Sequence, residues 1–90
     1  MTRPYSIRLL RPAIRELAGL DTRVAQRITD RIRWSAERIE TARMEALKGD
    51  LSGLFKLREG SYRIILEILH AERTILVHAI GHRKDVYRKR

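Results

Sequence analysis

The 90-residue sequence predicts one α+β domain spanning residues 1–90. Three observations carry that prediction. An alternating apolar run opens the chain, two segments of helical periodicity follow, and three short apolar runs separated by turn formers close it. The expected architecture is an N-terminal strand, an α-helical hairpin and a three-stranded antiparallel meander. Together these form one twisted sheet with the helices on one face, which buries both apolar surfaces at once.

Each element has its own justification. Tyr5, Ile7 and Leu9 alternate with Ser6 and Arg8 in the period of a half-buried strand. Arg11-Pro12 ends it, and a proline in the first turn of a helix loses no hydrogen bond. Ala13, Ile14, Leu17 and Ala18 then form an apolar stripe, with Gly19 as the C-terminal cap. Asp21-Thr22 caps a second helix, in which Val24, Ile28, Ile32, Ser35 and Ile39 share one face. Arg23, Arg27, Arg31, Arg38 and Trp34 fall on an adjoining strip, read as a solvated helix edge with Trp34 half-buried. Residues 40–47 either prolong this helix or unwind into a connection, and the pattern does not decide between them.

From Lys48 onward the texture changes. Gly49, Asp50, Ser52 and Gly53 are turn formers. The strand candidates after them are Leu54–Arg58, Tyr62–Leu69 and Thr74–Ile80, joined by turns at Glu59-Gly60 and Ala71-Glu72-Arg73. Such short joins imply antiparallel pairing. A short C-terminal helix completes the order if one forms.

Charge narrows the function. Twenty lysines and arginines against 11 acidic residues give +9, with a pI near 11. That excess favours a polyanion: nucleic acid, a ribosome, an anionic membrane or an acidic protein. With 43% hydrophobic residues, the charge sits on a folded body rather than a disordered arm. The absence of cysteine excludes a disulfide framework, a Cys-based zinc site and a thiol nucleophile. The N-terminus lacks the apolar core of a signal peptide, and no run approaches the ~20 residues of a membrane span. A cytoplasmic chain without membrane association is expected. Three histidines without clustered carboxylates offer no metal-site spacing, so neither metal nor cofactor is expected.

Within this basic chain, Arg63 interrupts an apolar strand, where a guanidinium is costly unless it is paired or binds an anion. Glu67 lies four residues on, on the same strand face, and the structural reading of Arg63 is a cross-strand arginine–carboxylate pair on a solvated sheet face. Lys56 and Arg58 project together from the preceding strand. If the turn makes a hairpin, they lie beside Arg63 and outline a phosphate site. The densest cluster is Gly81-His82-Arg83-Lys84-Asp85-Val86-Tyr87-Arg88-Lys89-Arg90. Val86 and Tyr87 supply apolar anchors there, and Tyr87 can stack on a base, orient a hydroxyl, transfer a proton or simply pack. His78, mid-strand, reads as a satisfied structural residue, and His70 as part of a turn.

Two runs resemble a known group. Leu47-Lys48-Gly49-Asp50-Leu51-Ser52-Gly53-Leu54-Phe55-Lys56-Leu57-Arg58-Glu59-Gly60-Ser61-Tyr62-Arg63-Ile64-Ile65 is similar to the central signature of RelE-type toxins of bacterial toxin–antitoxin systems. Ile80-Gly81-His82-Arg83-Lys84-Asp85-Val86-Tyr87 is similar to their C-terminal signature. The element order also matches, so the resemblance to the RelE/ParE toxin superfamily covers essentially the whole chain.

The resemblance implies a RelE-like fold and a toxin of a type II system. It implies a ribosome-dependent endoribonuclease that cuts mRNA in the A site without a metal, using the 2′-hydroxyl as nucleophile and leaving a 2′,3′-cyclic or 3′-phosphate. It also implies a small RelB-like antitoxin that silences the toxin, through which the complex binds operator DNA. Carried over by position, the active-site residues are Lys56, Arg63, Arg83 and Tyr87, and Arg58, His82, Lys84 and Arg88 are placed as RNA-binding residues. An arginine does not release a proton at accessible pH, so Arg63 and Arg83 are cast as stabilisers of the pentacovalent phosphate. The base is then Lys56, Tyr87 or a neighbour. Leu54, Ser61 and Leu66 depart from the family pattern, Leu54 by removing one basic residue and Leu66 by replacing a tyrosine. Two alternatives remain at this level: a non-enzymatic inhibitor of DNA gyrase of the ParE type, and an RNA-binding module without cleavage.

Overall fold

A computed structural model describes residues 3–83. The elements are β1 (Ser6–Leu9), α1 (Arg11–Ala18), α2 (Thr22–Glu37), β2 (Glu45–Ala46), a 3-10 turn (Gly49–Leu51), β3 (Phe55–Glu59), β4 (Tyr62–Leu69) and β5 (Thr74–His82). The strands form one five-stranded sheet in the order β1-β5-β4-β3-β2. Pairing is antiparallel from β2 to β5, whereas β1 runs parallel to β5, with Ile7 opposite Ile75. The α+β class and helix-covered sheet agree with the sequence reading, and the sheet gains one strand. Residues 40–47 neither extend α2, which stops at Glu37, nor remain a plain connection, since Glu45 and Ala46 pair with Lys56 and Phe55. An edge strand of two residues is too short to register as a periodicity.

The helices sit on one face of the sheet because the core-forming apolar positions point there, while Ile65, Leu76 and Ala79 fall on the opposite face. Ile28, Ile32 and Ala36 of α2 and Ala13 of α1 meet Leu57, Ile64, Leu66, Ile75, Val77 and Ile80 in one core. Asp21 caps α2 by accepting from the Arg23 N–H at 3.0 Å. The helix edge follows expectation too: Trp34 is 40% exposed, with the Arg31 and Arg38 guanidiniums at 5.0 and 4.8 Å from its ring centroid. Leu66 is fully buried in this core, so its departure from the family pattern concerns packing rather than chemistry.

The spacing of core residues along β5 changes from two to three between Val77 and Ile80. A bulge accounts for it, because Ile65 pairs with Ala79 but Leu66 with Val77, leaving His78 as the extra residue. Past Leu9 the chain leaves the sheet edge, and Glu16 of α1 covers the bared strand by accepting from the Ile80 N–H at 2.7 Å. At the opposite end of β5, the Tyr5 hydroxyl and His70 Nδ1 are hydrogen-bonded at 2.8 Å and Arg73 stacks on the Tyr5 ring. Among the described residues no helix is long and apolar enough to cross a membrane.

Candidate functional site

The sheet face turned away from the helices carries the polar positions of its central strands. On β3 these are Lys56 and Arg58, and on β4 they are Arg63 and Glu67. The ladder places Arg58 directly opposite Arg63, with Lys56 opposite Ile65 on one side and Glu45 on the other. Cβ atoms so paired lie only about 4.5–5.5 Å apart, and like charges at that spacing repel. Three cations converge on one face, as the hairpin register predicted.

Arg63 is the most constrained of them. It keeps 7% of its surface exposed, and one terminal nitrogen donates to the Gly60 and Tyr62 carbonyls at 3.2 and 3.0 Å. The expected cross-strand carboxylate partner is not found among the described residues; Glu67, four residues along the same strand and so about 13 Å away, is bound through Oε1 to His78 Nε2 at 3.0 Å. Among the described residues no carboxylate lies within ion-pair distance of Arg63. The β3–β4 turn holds the arginine in place. Gly60 takes φ +58° at the first position of a two-residue loop between Glu59 and Tyr62, while Ser61 stays at negative φ, the pattern of a type II′ turn. The turn therefore falls at Gly60-Ser61, one residue beyond the expected Glu59-Gly60.

Lys56 is ion-paired, its Nζ lying 3.3 Å from Glu45 Oε1 across the β2–β3 ladder. Sequence reasoning missed Glu45, and only recognition of β2 would have found it. Gly81 stands opposite Arg63 and brings no side chain to the face. The Arg83 N–H donates to the Ser61 carbonyl at 2.8 Å, continuing the ladder by one position, and alternation returns residue 83 to the Arg63 side. His82 is not brought to this cluster. Its ring makes an edge contact with Tyr62, 5.7 Å between centroids, in a recess of about 490 Å3 on the helix-covered face beside Glu16 and Leu20. Lys84, Tyr87 and Arg88 lie outside the described residues, as does the expected C-terminal helix. Among those described, no three His, Asp or Glu side chains converge in a way that would hold a metal ion.

A short α+β chain presenting buried and half-buried cations on one sheet face invites comparison with known proteins. Residues 7–87 match the family described as the ParE toxin of type II toxin–antitoxin systems, parDE. The chain belongs to that toxin family. It is a type II toxin of the RelE/ParE superfamily. Toxin RelG of Mycobacterium tuberculosis is 28% identical over 86 residues, covering 96% of this chain and 99% of that one. In structure, the toxin of the RelBE2 complex of Mycobacterium tuberculosis superposes with a TM-score of 0.82 at 24% identity, covering 94% of this chain and 98% of that one. RelE of the Pyrococcus horikoshii RelE–RelB complex gives 0.72 at 17% identity, covering 93% and 100%. Isolated Escherichia coli RelE gives 0.70 at 19% identity, covering 94% and 93%. At these identities the solved structures establish the shared fold.

Proposed function

We propose that this toxin is a ribosome-dependent endoribonuclease that cuts mRNA in the A site without a metal and is silenced by a RelB-like antitoxin. The observation that carries this reading is Arg63: a nearly buried guanidinium, fixed by two main-chain carbonyls, opposite a second arginine and bound to no described carboxylate. A fold that only needed stability would not place those charges there. A pentacovalent phosphorane uses them, because preorganised donors gain most where negative charge develops.

The reaction begins with attack of a ribose 2′-oxygen on the adjacent phosphorus. The P–O5′ bond breaks, leaving a 2′,3′-cyclic phosphate and a free 5′-hydroxyl. The 2′-hydroxyl proton must leave and O5′ must gain one, and Lys56 and Tyr87 are the proton-transfer candidates. Arg63 and Arg83 neutralise the equatorial oxygens. No described residue forms an ideal acid–base pair, so the protein is expected to cut free RNA slowly. Orientation of the message by the ribosome supplies what is missing, since positioning alone is worth about 7–11 kcal/mol. The RelE-type names of the relatives favour this reading over gyrase inhibition.

Primer extension on a defined message in a reconstituted translation mixture tests it. Codon-linked cuts by the wild type, lost in Arg83→Ala and diminished in Tyr87→Phe, are expected. Uncut message, or variants that cut as well as the wild type, overturns the assignment.

A further inference from the structure

The basic surface does not end at the catalytic cluster. Between α2, residues 42–45 and β3 runs a cleft of about 710 Å3, lined by Arg31, Arg43, Lys56 and Arg58 with Met44 and Glu45. Among the described residues its only carboxylate is Glu45, engaged by Lys56 at 3.3 Å. Arg31 Nε is buried and has no hydrogen-bond acceptor among the described residues. That is an uncommon state for a guanidinium nitrogen, and the rest of this half-buried side chain lines the cleft. Trp34 stands beside the cleft, with the Arg31 and Arg38 guanidiniums at 5.0 and 4.8 Å from its ring.

We propose that this cleft is a second phosphodiester subsite, which grips the backbone of the RNA strand whose scissile phosphate lies at Arg63. The proposal deepens the nuclease reading and rests on it for the position of that phosphate. Continuity supports it, because Arg58 lines the cleft and also stands directly opposite Arg63, so one strand can run along β3 from one site to the other. The guanidinium fork of Arg31 suits a phosphate, which accepts two parallel hydrogen bonds. The exposed Trp34 edge adds the aromatic surface that single-stranded nucleic acid uses and an acidic peptide does not need. Lys56 belongs to both sites, but Arg31 and Arg43 are not among the proton-transfer candidates, so their part of the cleft governs affinity rather than the chemical step.

The test uses the full chain and a fluorescent 12-nucleotide 2′-O-methyl RNA, which cannot be cut because its nucleophile is blocked. Anisotropy titrations over a range of NaCl concentrations compare the wild type with Arg43→Gln, Arg31→Gln and the double variant. Arg23→Gln, which loses the same charge outside the cleft, is the control. The double variant is expected to bind about tenfold more weakly at moderate salt. Its log–log salt slope should be shallower by about 0.7 for each phosphate it no longer neutralises. Arg43 is exposed, so Arg43→Gln reports on the cleft even if Arg31→Gln folds poorly. Cleft variants that bind like Arg23→Gln overturn the subsite. So does a polyglutamate peptide that competes as well as unlabelled RNA, which would assign the cleft to an acidic protein segment. Cleft-dependent RNA binding by a wild type that makes no cuts during translation would keep the subsite and remove the nuclease reading. Normal cutting with cleft-independent binding would do the reverse.

Discussion

Burying a guanidinium opposite another one costs stability that the surrounding packing must offset, and Arg63 does this with 7% of its surface exposed. Replacing buried charge with an apolar side chain of similar length is often stabilising. Arg63→Met is therefore expected to raise the unfolding temperature by several degrees, since about 1 kcal/mol is worth about 4–8 °C in a domain of this size. The same change should lower cleavage by at least about 10²-fold, the usual cost of removing one preorganised donor. Calorimetry beside a cleavage assay reads both, and a fall in melting temperature would make Arg63 a structural residue instead. At this scale the sequence was legible where chemistry contradicts its setting. An arginine among isoleucines stands out in a string of letters, and so does a Lys-x-Arg pair one hairpin away. Glu67 shares the face of Arg63, but strand alternation does not give a partner, and its partner is His78, the residue added by the bulge. His82 sits in a basic run, yet the ladder turns it toward Tyr62 on the other face.

The element that aims the site is the hairpin between β3 and β4. Gly60 at φ +58° shapes the turn, and its carbonyl accepts from Arg63. A Cβ there meets no atom within 4 Å, so the cost of Gly60→Ala is backbone strain alone. It is expected to destabilise the fold by about 1 kcal/mol. Because the Arg63 cradle moves with the turn, activity should fall further than the lost stability explains; denaturant titration with cleavage assays at a temperature where both proteins are folded separates the two. A variant as active as the wild type would show that the turn does not position Arg63. Local signals made this hairpin readable to within one residue, and likewise the capped start of α2. Two features escaped because they are not local. The parallel seam of β1 on β5 joins residues nearly seventy positions apart, and β2 exists only because β3 offers it an edge. The edge strand should be felt at the site: Glu45→Ala removes a carboxylate partner of Lys56, and cleavage is expected to drop about tenfold with little effect on folding, since an ion pair with one exposed member contributes only about 0–1 kcal/mol.

Over the whole molecule, +9 on 90 residues means that the isolated toxin works against its own repulsion. Its melting temperature is expected to rise as NaCl increases from roughly 20 to 200 mM, because screening shortens the reach of each charge to about 8–10 Å near physiological strength. A flat or falling dependence would mean that the charges are already locally compensated. Charge placement also fits the proposed dependence on a large RNA partner: in the proposed mechanism the outlying arginines steer while Lys56, Arg63 and Arg83 act. Both halves of the account meet in one experiment: single-turnover cleavage of a labelled message, free or positioned on ribosomes, by the wild type and by Arg63→Met. The predicted result is fast, codon-linked cutting on ribosomes, little on free RNA, and a loss of at least about 10²-fold in the variant. An Arg63→Met protein that cuts ribosome-bound message as fast as the wild type would contradict it.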